Sequence, residues 1–202
     1  SYSLACEMTN ENDINRAFRD ISKLFFRLGD IGESLRIAAN VSERTRAILD
    51  IDISRMFMEI GDKEAALKIS SEITLDDCKS KSLISISQIL MASGDKESAH
   101  FIMKKSLDIA RLIIPEYDRY KTYVYLSRIL TKMGEKEEAL RIASNIKMDR
   151  LQFRAYTQIS QVLLEQDDSV SALDIASKVK NDWRADPLYA NISRVFMERG
   201  ER

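Results

Sequence analysis

Apolar positions along this chain fall at i, i+3, i+4 helical spacing inside short segments, and the segments return with a long period. The stretches "RDISKLFFRLGD", "LDIDISRMFMEIGD", "LISISQILMASGD", "VYLSRILTKMGE", "YTQISQVLLEQDD" and "YANISRVFMERGER" each set a serine among apolar neighbours. Aligned on Ser22, Ser54, Ser87, Ser127, Ser160 and Ser193, the steps are 32, 33, 40, 33 and 33 residues. Such a period marks an array of two-helix units. Seven residues after each serine stands Gly29, Gly61, Gly94, Gly134, Asp167 or Gly200, where a helix stops and the chain turns. Eleven residues before each stands Glu11, Glu43, Asp76, Glu116, Asp149 or Asp182, acids suited to the free N–H groups and positive dipole end of a helix start.

A second amphipathic segment follows each turn: "ESLRIAANV", "AALKISSEI", "EALRIASNI" and "SALDIASKV". Each repeat therefore predicts two antiparallel helices, A and B. The whole predicts an all-α fold, an α-solenoid of about six antiparallel helix pairs in a single array spanning 1–202. Its expected divisions are the end of a preceding half repeat at 1–10, full repeats at 11–42, 43–75, 76–115, 116–148 and 149–181, and a final half repeat at 182–202. The 40-residue step carries seven extra residues, about two helical turns, which keeps the buried face in register. They are placed in "ESAHFIMKKSLDIARLII", an extended B helix stopping before Pro115. In the last repeat Asp186 reads as an N-cap and Pro187 as the first helical residue. Because "SYSLACEM" aligns with "SLRIAANV", both chain ends read as interior points of a longer array.

Period, turn and small packed residue together resemble the tetratricopeptide repeat. That family's aromatic-x-x-Leu-small-x-x-aromatic signature is matched by Phe18, Ile21, Ser22, Phe25 and by Tyr189, Ile192, Ser193, Phe196, and less fully by Tyr123, Leu126, Ser127, Leu130 and Tyr156, Ile159, Ser160, Leu163. Asp50 stands where the second repeat should have its aromatic. The small residue early in helix B appears as Ser34, Ala66, Ala99, Ala139 and Ala172, whereas the large aromatic later in helix B is replaced by Ala38, Ser70, Met103, Ala143 and Ala176. That replacement leaves room for the B helices to sit closer to their neighbours. The resemblance implies a right-handed superhelix and a concave groove, lined by A helices, that holds peptides.

The residue after each serine is Lys23, Arg55, Gln88, Arg128, Gln161 or Arg194. None is acidic and every one donates hydrogen bonds. The matching position in the family faces the groove, so the resemblance implies a ladder of partner-binding donors suited to carboxylates or backbone carbonyls. The competing reading is a solvated face with local ion pairs, for Asp52 and Glu59 flank Arg55 and Glu198 follows Arg194. The Phe and Met stripes, Phe25, Phe26, Phe57, Met58, Met91, Phe196 and Met197, read as core between A helices, the second member of each pair lying toward the edge. Trp183 reads as packing between repeats.

Catalytic motifs are scarce. The one histidine, His100, takes the place held by Leu67, Leu140 and Leu173 in sister repeats. No glycine-rich phosphate loop, "HExxH", paired "CxxC" or calcium-loop spacing occurs. Asp76-Asp77 and Asp167-Asp168 lie at helix boundaries, where acids belong for electrostatic reasons. No enzyme, metal site or cofactor is expected. Six Gly and two Pro in 202 residues agree with a helical chain. With 31 basic and 32 acidic residues, no global field favours nucleic acid or an anionic membrane. No apolar run approaches the roughly 20 residues of a membrane span. Cys6 and Cys78 fall in different repeats and suggest reduced thiols, hence a cytoplasmic setting. The expected function is a non-catalytic protein–protein interaction scaffold that holds a peptide or partner helix in the concave groove. The alternatives are an RNA-binding helical-repeat protein and a regulatory arm of a longer enzyme or transcription regulator.

Overall fold

The protein is described here by a computed structural model covering residues 11–178 together with 189, 193, 194 and 197. The expectations placed on Cys6, Trp183, Asp186, Pro187 and Phe196 lie outside the described residues. Among those described there are helices and no strands: α1 (Glu11–Arg27), α2 (Ile31–Ala38), α3 (Glu43–Glu59), α4 (Lys63–Glu72), α5 (Asp76–Ala92), α6 (Lys96–Ala110), α7 (Glu116–Lys132), α8 (Lys136–Ser144), α9 (Asp149–Glu165) and α10 (Ser169–Ser177). The odd-numbered A helices each run 17 residues. The B helices are shorter, at 8 to 10 residues, except α6 with 15. Most of the extra length in the third repeat is therefore helical, and the chain turns before Pro115.

One turn device joins every A helix to its B helix. Gly29, Gly61, Gly94 and Gly134 take φ of 86° to 88°, and Asp167 takes 65° in the same place. That left-handed residue lets the next N–H reach back to a carbonyl five residues earlier: Asp30 to Phe25, Asp62 to Phe57, Asp95 to Leu90, Glu135 to Leu130 and Asp168 to Leu163, all at 2.9–3.0 Å. The same residue then opens the B helix. The carboxylates of Asp30, Asp62, Asp95 and Asp168 each accept the N–H three residues on, at 2.9–3.1 Å. Glu135 makes no such cap, its chain being one methylene too long. Glu135→Asp should therefore stabilise the protein by about 0.5–1 kcal/mol, read as a raised urea midpoint.

The repeat-defining serines occupy the contact between the two helices of a pair. Ser22, Ser54, Ser87, Ser127 and Ser160 are all 0% exposed, as are their opposite numbers Ser34, Ala66, Ala99, Ala139 and Ala172. Three of the hydroxyls cross to the B helix: Ser22 donates to the Ser34 carbonyl at 2.8 Å, Ser87 to Ala99 at 2.7 Å and Ser160 to Ala172 at 3.1 Å. Ser127 bonds instead within its own helix, to the Val124 carbonyl, and Ser54 both to the Ile51 carbonyl of its own helix and, at 2.7 Å, to the Ser82 hydroxyl of the neighbouring A helix. Small residue against small residue brings the backbones together, while Ile37, Ile53, Ile86, Leu126 and Ile159 fill the space around them.

Two compact units divide the chain, Ser1–Leu112 and Ile113–Arg202. In the first, successive A helices α1, α3 and α5 pack side by side. Phe26 and Phe57 meet edge to face there, with centroids 4.8 Å apart at 89°, and Met58 is buried with them. The edge residues Phe26 and Met58 are thus core, because the neighbouring A helix covers them, whereas Met197 is exposed. Arg44 of α3 grips Asp77 of α5 through two hydrogen bonds of 2.8 Å, and Lys81 adds a third at 3.1 Å. Burial alone would raise the Asp77 pKa, but these cations win and hold it below the usual range. In the second unit α7 and α9 pack in the same way. Gln166 ties the end of α9 to the Thr131 and Lys132 carbonyls at 3.3 Å. Lys136 reaches Ser171 of the next B helix at 2.8 Å, as Lys63 reaches Ser98 at 2.9 Å in the first unit.

Candidate functional site

The donor ladder sits on the A helices, and the structure treats its members differently. In the first unit Lys23 forms an ion pair with Asp52 of the neighbouring A helix. Arg55 shares the same carboxylate at 3.5 Å and approaches Glu59 at 4.0 Å. Asp52 therefore gathers two rungs into one charge cluster and satisfies both. Gln88 is half-buried and has a partner too. The second unit is different. Arg128 is half-buried and Gln161 exposed. Neither side chain makes a hydrogen bond or ion pair with the described residues. They hold equivalent register positions on α7 and α9, which lie side by side. Arg194 is exposed and has a partner.

Sequence reasoning saw Asp52 and Glu59 beside Arg55, because they share its helix. It did not see Asp52 reaching Lys23, which is a contact between repeats. His100 is half-buried, with Nδ1 2.6 Å from the Lys96 carbonyl in its own helix. Cys78 is buried, which pushes its thiol pKa up and makes it a poor nucleophile. Among the described residues no group of three His, Cys, Asp or Glu side chains is placed to hold a metal ion. No described helix is long and apolar enough to cross a membrane.

Two grooves flank these helices in the first unit. One, of 480 Å³, is lined by Val41, Arg46, Asp50, Glu72 and Ile73 among others. Asp50 stands in it with its pKa raised to about 6, chiefly by burial, with Arg46 opposing and Glu72 reinforcing the rise. The other, of 780 Å³, opens between the B helices α4 and α6 over α5. The small residues late in the B helices led to an expectation of closer B-helix approach. Here Ser70 borders a groove instead.

No protein-family model matches the sequence, and no curated protein matches it. Among solved structures, the crystal structure of Ton1535 from Thermococcus onnurineus NA1 superposes with a TM-score of 0.56 at 16% identity, over 88% of this chain and 57% of that one. This chain thus spans little more than half the length of that neighbour, and the likeness is one of fold. A crystal structure of a Podosopora anserina putative kinesin light chain with nearly identical TPR-like repeats superposes more loosely, with a TM-score of 0.44 at 13% identity, over 89% of this chain and 96% of that one. The helix pairs, their closing turns and the small-residue contact between A and B make this an all-α, tetratricopeptide-like helical-repeat fold.

Proposed function

We propose that the protein is a non-catalytic interaction scaffold that binds an extended peptide or a partner helix on its A-helix face, with Arg128 and Gln161 as the leading contacts. The observation behind this reading is their shared register on packed helices, with donor capacity that no described residue uses. Lys23 and Arg55 have their charge answered by Asp52 and Glu59, so they contribute through exchange of partners rather than as open donors. A helix surface of this kind is already ordered, which leaves the ordering cost with the partner.

Neighbouring A helices lie roughly 10 Å apart, and an extended peptide rises about 3.3 Å per residue. Every third peptide residue then meets a new rung. A panel of immobilised extended peptides with Asp, Asn or Lys at every third position tests the reading. The parent protein should retain the Asp series best. Arg128→Glu combined with Gln161→Glu should weaken that retention about tenfold. Thermal stability should change little, because Arg128 has no ion pair with the described residues to lose and Gln161 is exposed. Equal retention of the three series by the parent, or no loss in the double variant, would mean that this face is only solvated.

A further inference from the structure

The groove between α4 and α6 lies wholly within the first unit, and its 780 Å³ falls in the range of small-molecule sites, about 300–1,000 Å³. Its floor is apolar, with Leu83 and Ile102 buried and Leu67 half-buried. Two features distinguish it from a gap between stacked helices. Phe101 lines it with 58% of its surface exposed, where the sister repeats carry Arg36, Lys68, Arg141 and Asp174. This repeat alone among them puts an aromatic ring where water-facing charge belongs. Ser70 lines the wall, fully buried, with a hydroxyl that has no hydrogen-bond partner. A buried hydroxyl in that state is unfavourable until something answers it.

Charge along the groove is polarised. At one end the Lys63 amine is committed to Asp95 at 3.2 Å and Ser98 at 2.9 Å. At the other, the amine of Lys79 in the first turn of α5 has no hydrogen bond or ion pair with the described residues. Lys105 stands there too, its Nζ 4.6 Å from the Phe101 ring centroid. Ser80 and Ser106, with hydroxyls 2.9 Å apart, fix the second half of α6 against the start of α5 and so bring Lys79 and Lys105 to the same end. The one acid among the residues lining the groove, Asp108, is already paired with Arg111 at 3.0 Å. From Ser98 to Ile109 the groove follows α6 for about 16 Å at 1.5 Å per residue.

We propose that this groove binds a small amphipathic carboxylate, with its acid group between Lys79 and Lys105 and its apolar body along Leu83, Leu67 and Ile102 beneath Phe101. Open cations without an apolar floor would suit an inorganic anion, and an apolar floor without cations a neutral molecule. Their combination selects an apolar acid. An acidic amphipathic helix offers related chemistry, but its acids recur at every turn, whereas the cations here that no described carboxylate pairs with gather at one end. The site is separate from the A-helix face, so either reading can fail without the other.

Titration of the full chain with dodecanoate below its micelle concentration, by calorimetry and methyl NMR, tests the assignment. Dodecanoate should saturate one site, with shifts gathered on Leu67, Leu83 and Ile102, and bind about tenfold more tightly than dodecyltrimethylammonium. Acetate should not bind. Lys79→Glu with Lys105→Glu should reverse the preference between the two twelve-carbon probes. If that variant does not fold, Lys79→Gln with Lys105→Gln should erase the preference. Phe101→Gln, which removes the ring without adding charge, should weaken both probes about tenfold through lost apolar contact. Equal affinity for anion and cation, shifts spread to the exposed Leu28 and Ile60, or no saturable binding would overturn the proposal. So would tighter binding of an acidic amphipathic helical peptide.

Discussion

Ser160→Leu should destabilise the second unit by about 2–4 kcal/mol. Ser160 is 0% exposed and faces Ala172, also 0% exposed, across the contact between α9 and α10. Its hydroxyl donates to the Ala172 carbonyl at 3.1 Å. Leucine adds two heavy atoms where two backbones approach, which costs about 1–3 kcal/mol by overpacking. It also removes a buried hydrogen bond, worth about 1 kcal/mol. Ser160→Ala, which keeps the close approach, should lose only that second part. Urea unfolding of the two variants separates the contributions. A Ser160→Leu protein that melts with the parent would mean that the helices do not meet at this serine.

The same contact shows why so much of the fold was legible in the sequence. A small residue where two helices touch, a left-handed residue seven positions later and an acid at the helix start are local requirements that recur in every copy. Glycine marks the turn because φ near 87° strains other residues. The aspartate after it recurs because it caps the next helix. Alignment exposed the pattern, and the turn geometry supplies its cause.

Contacts between repeats were not legible in this way. Lys23 and Asp52 are 29 positions apart, and their pairing depends on how α1 leans on α3. Viewed along one helix Lys23 is an open donor, but viewed across two it is half of an ion pair. Phe26 and Met58 looked like edge residues for the same reason, until the next A helix covered them. Phe101 did carry a signal, an aromatic among charged equivalents. Its meaning needed the groove beside it, which depends on the separation of α4 and α6 rather than on either sequence.

Asp50→Tyr should raise stability at pH 7 by about 1–3 kcal/mol and remove a pH dependence that the parent shows between about pH 4 and 6. Four sister repeats hold Phe18, Tyr123, Tyr156 and Tyr189 at this position, and the third holds Leu83. Here a carboxylate with 14% of its side chain exposed lies beside a 480 Å³ groove, its nearest cation Arg46 at 4.0 Å. Burial, opposed by Arg46 and assisted by Glu72, raises its pKa to about 6, against about 3.9 in an unfolded chain. Between those values the folded protein keeps a proton that the unfolded chain has released. The native state is favoured there by its bound proton, and that advantage is lost as pH rises through about 6. After discounting for water in the groove, the loss is about 1–2 kcal/mol. Asp77, Asp95 and Asp168 have lowered pKa values and act in the opposite sense, losing stability as pH falls. They are common to parent and variants, so they cancel in a difference. Asp50→Asn isolates the titration and Asp50→Tyr adds the ring, whose burial fills the groove. Urea midpoints at pH 4, 5, 6 and 7 should show the parent falling away from Asp50→Asn as pH rises, with Asp50→Tyr above both at pH 7. Parallel curves for parent and Asp50→Asn would place the carboxylate in water, and a Tyr variant below the parent would show that α2, α3 and α4 leave no room for the ring that four other repeats contain.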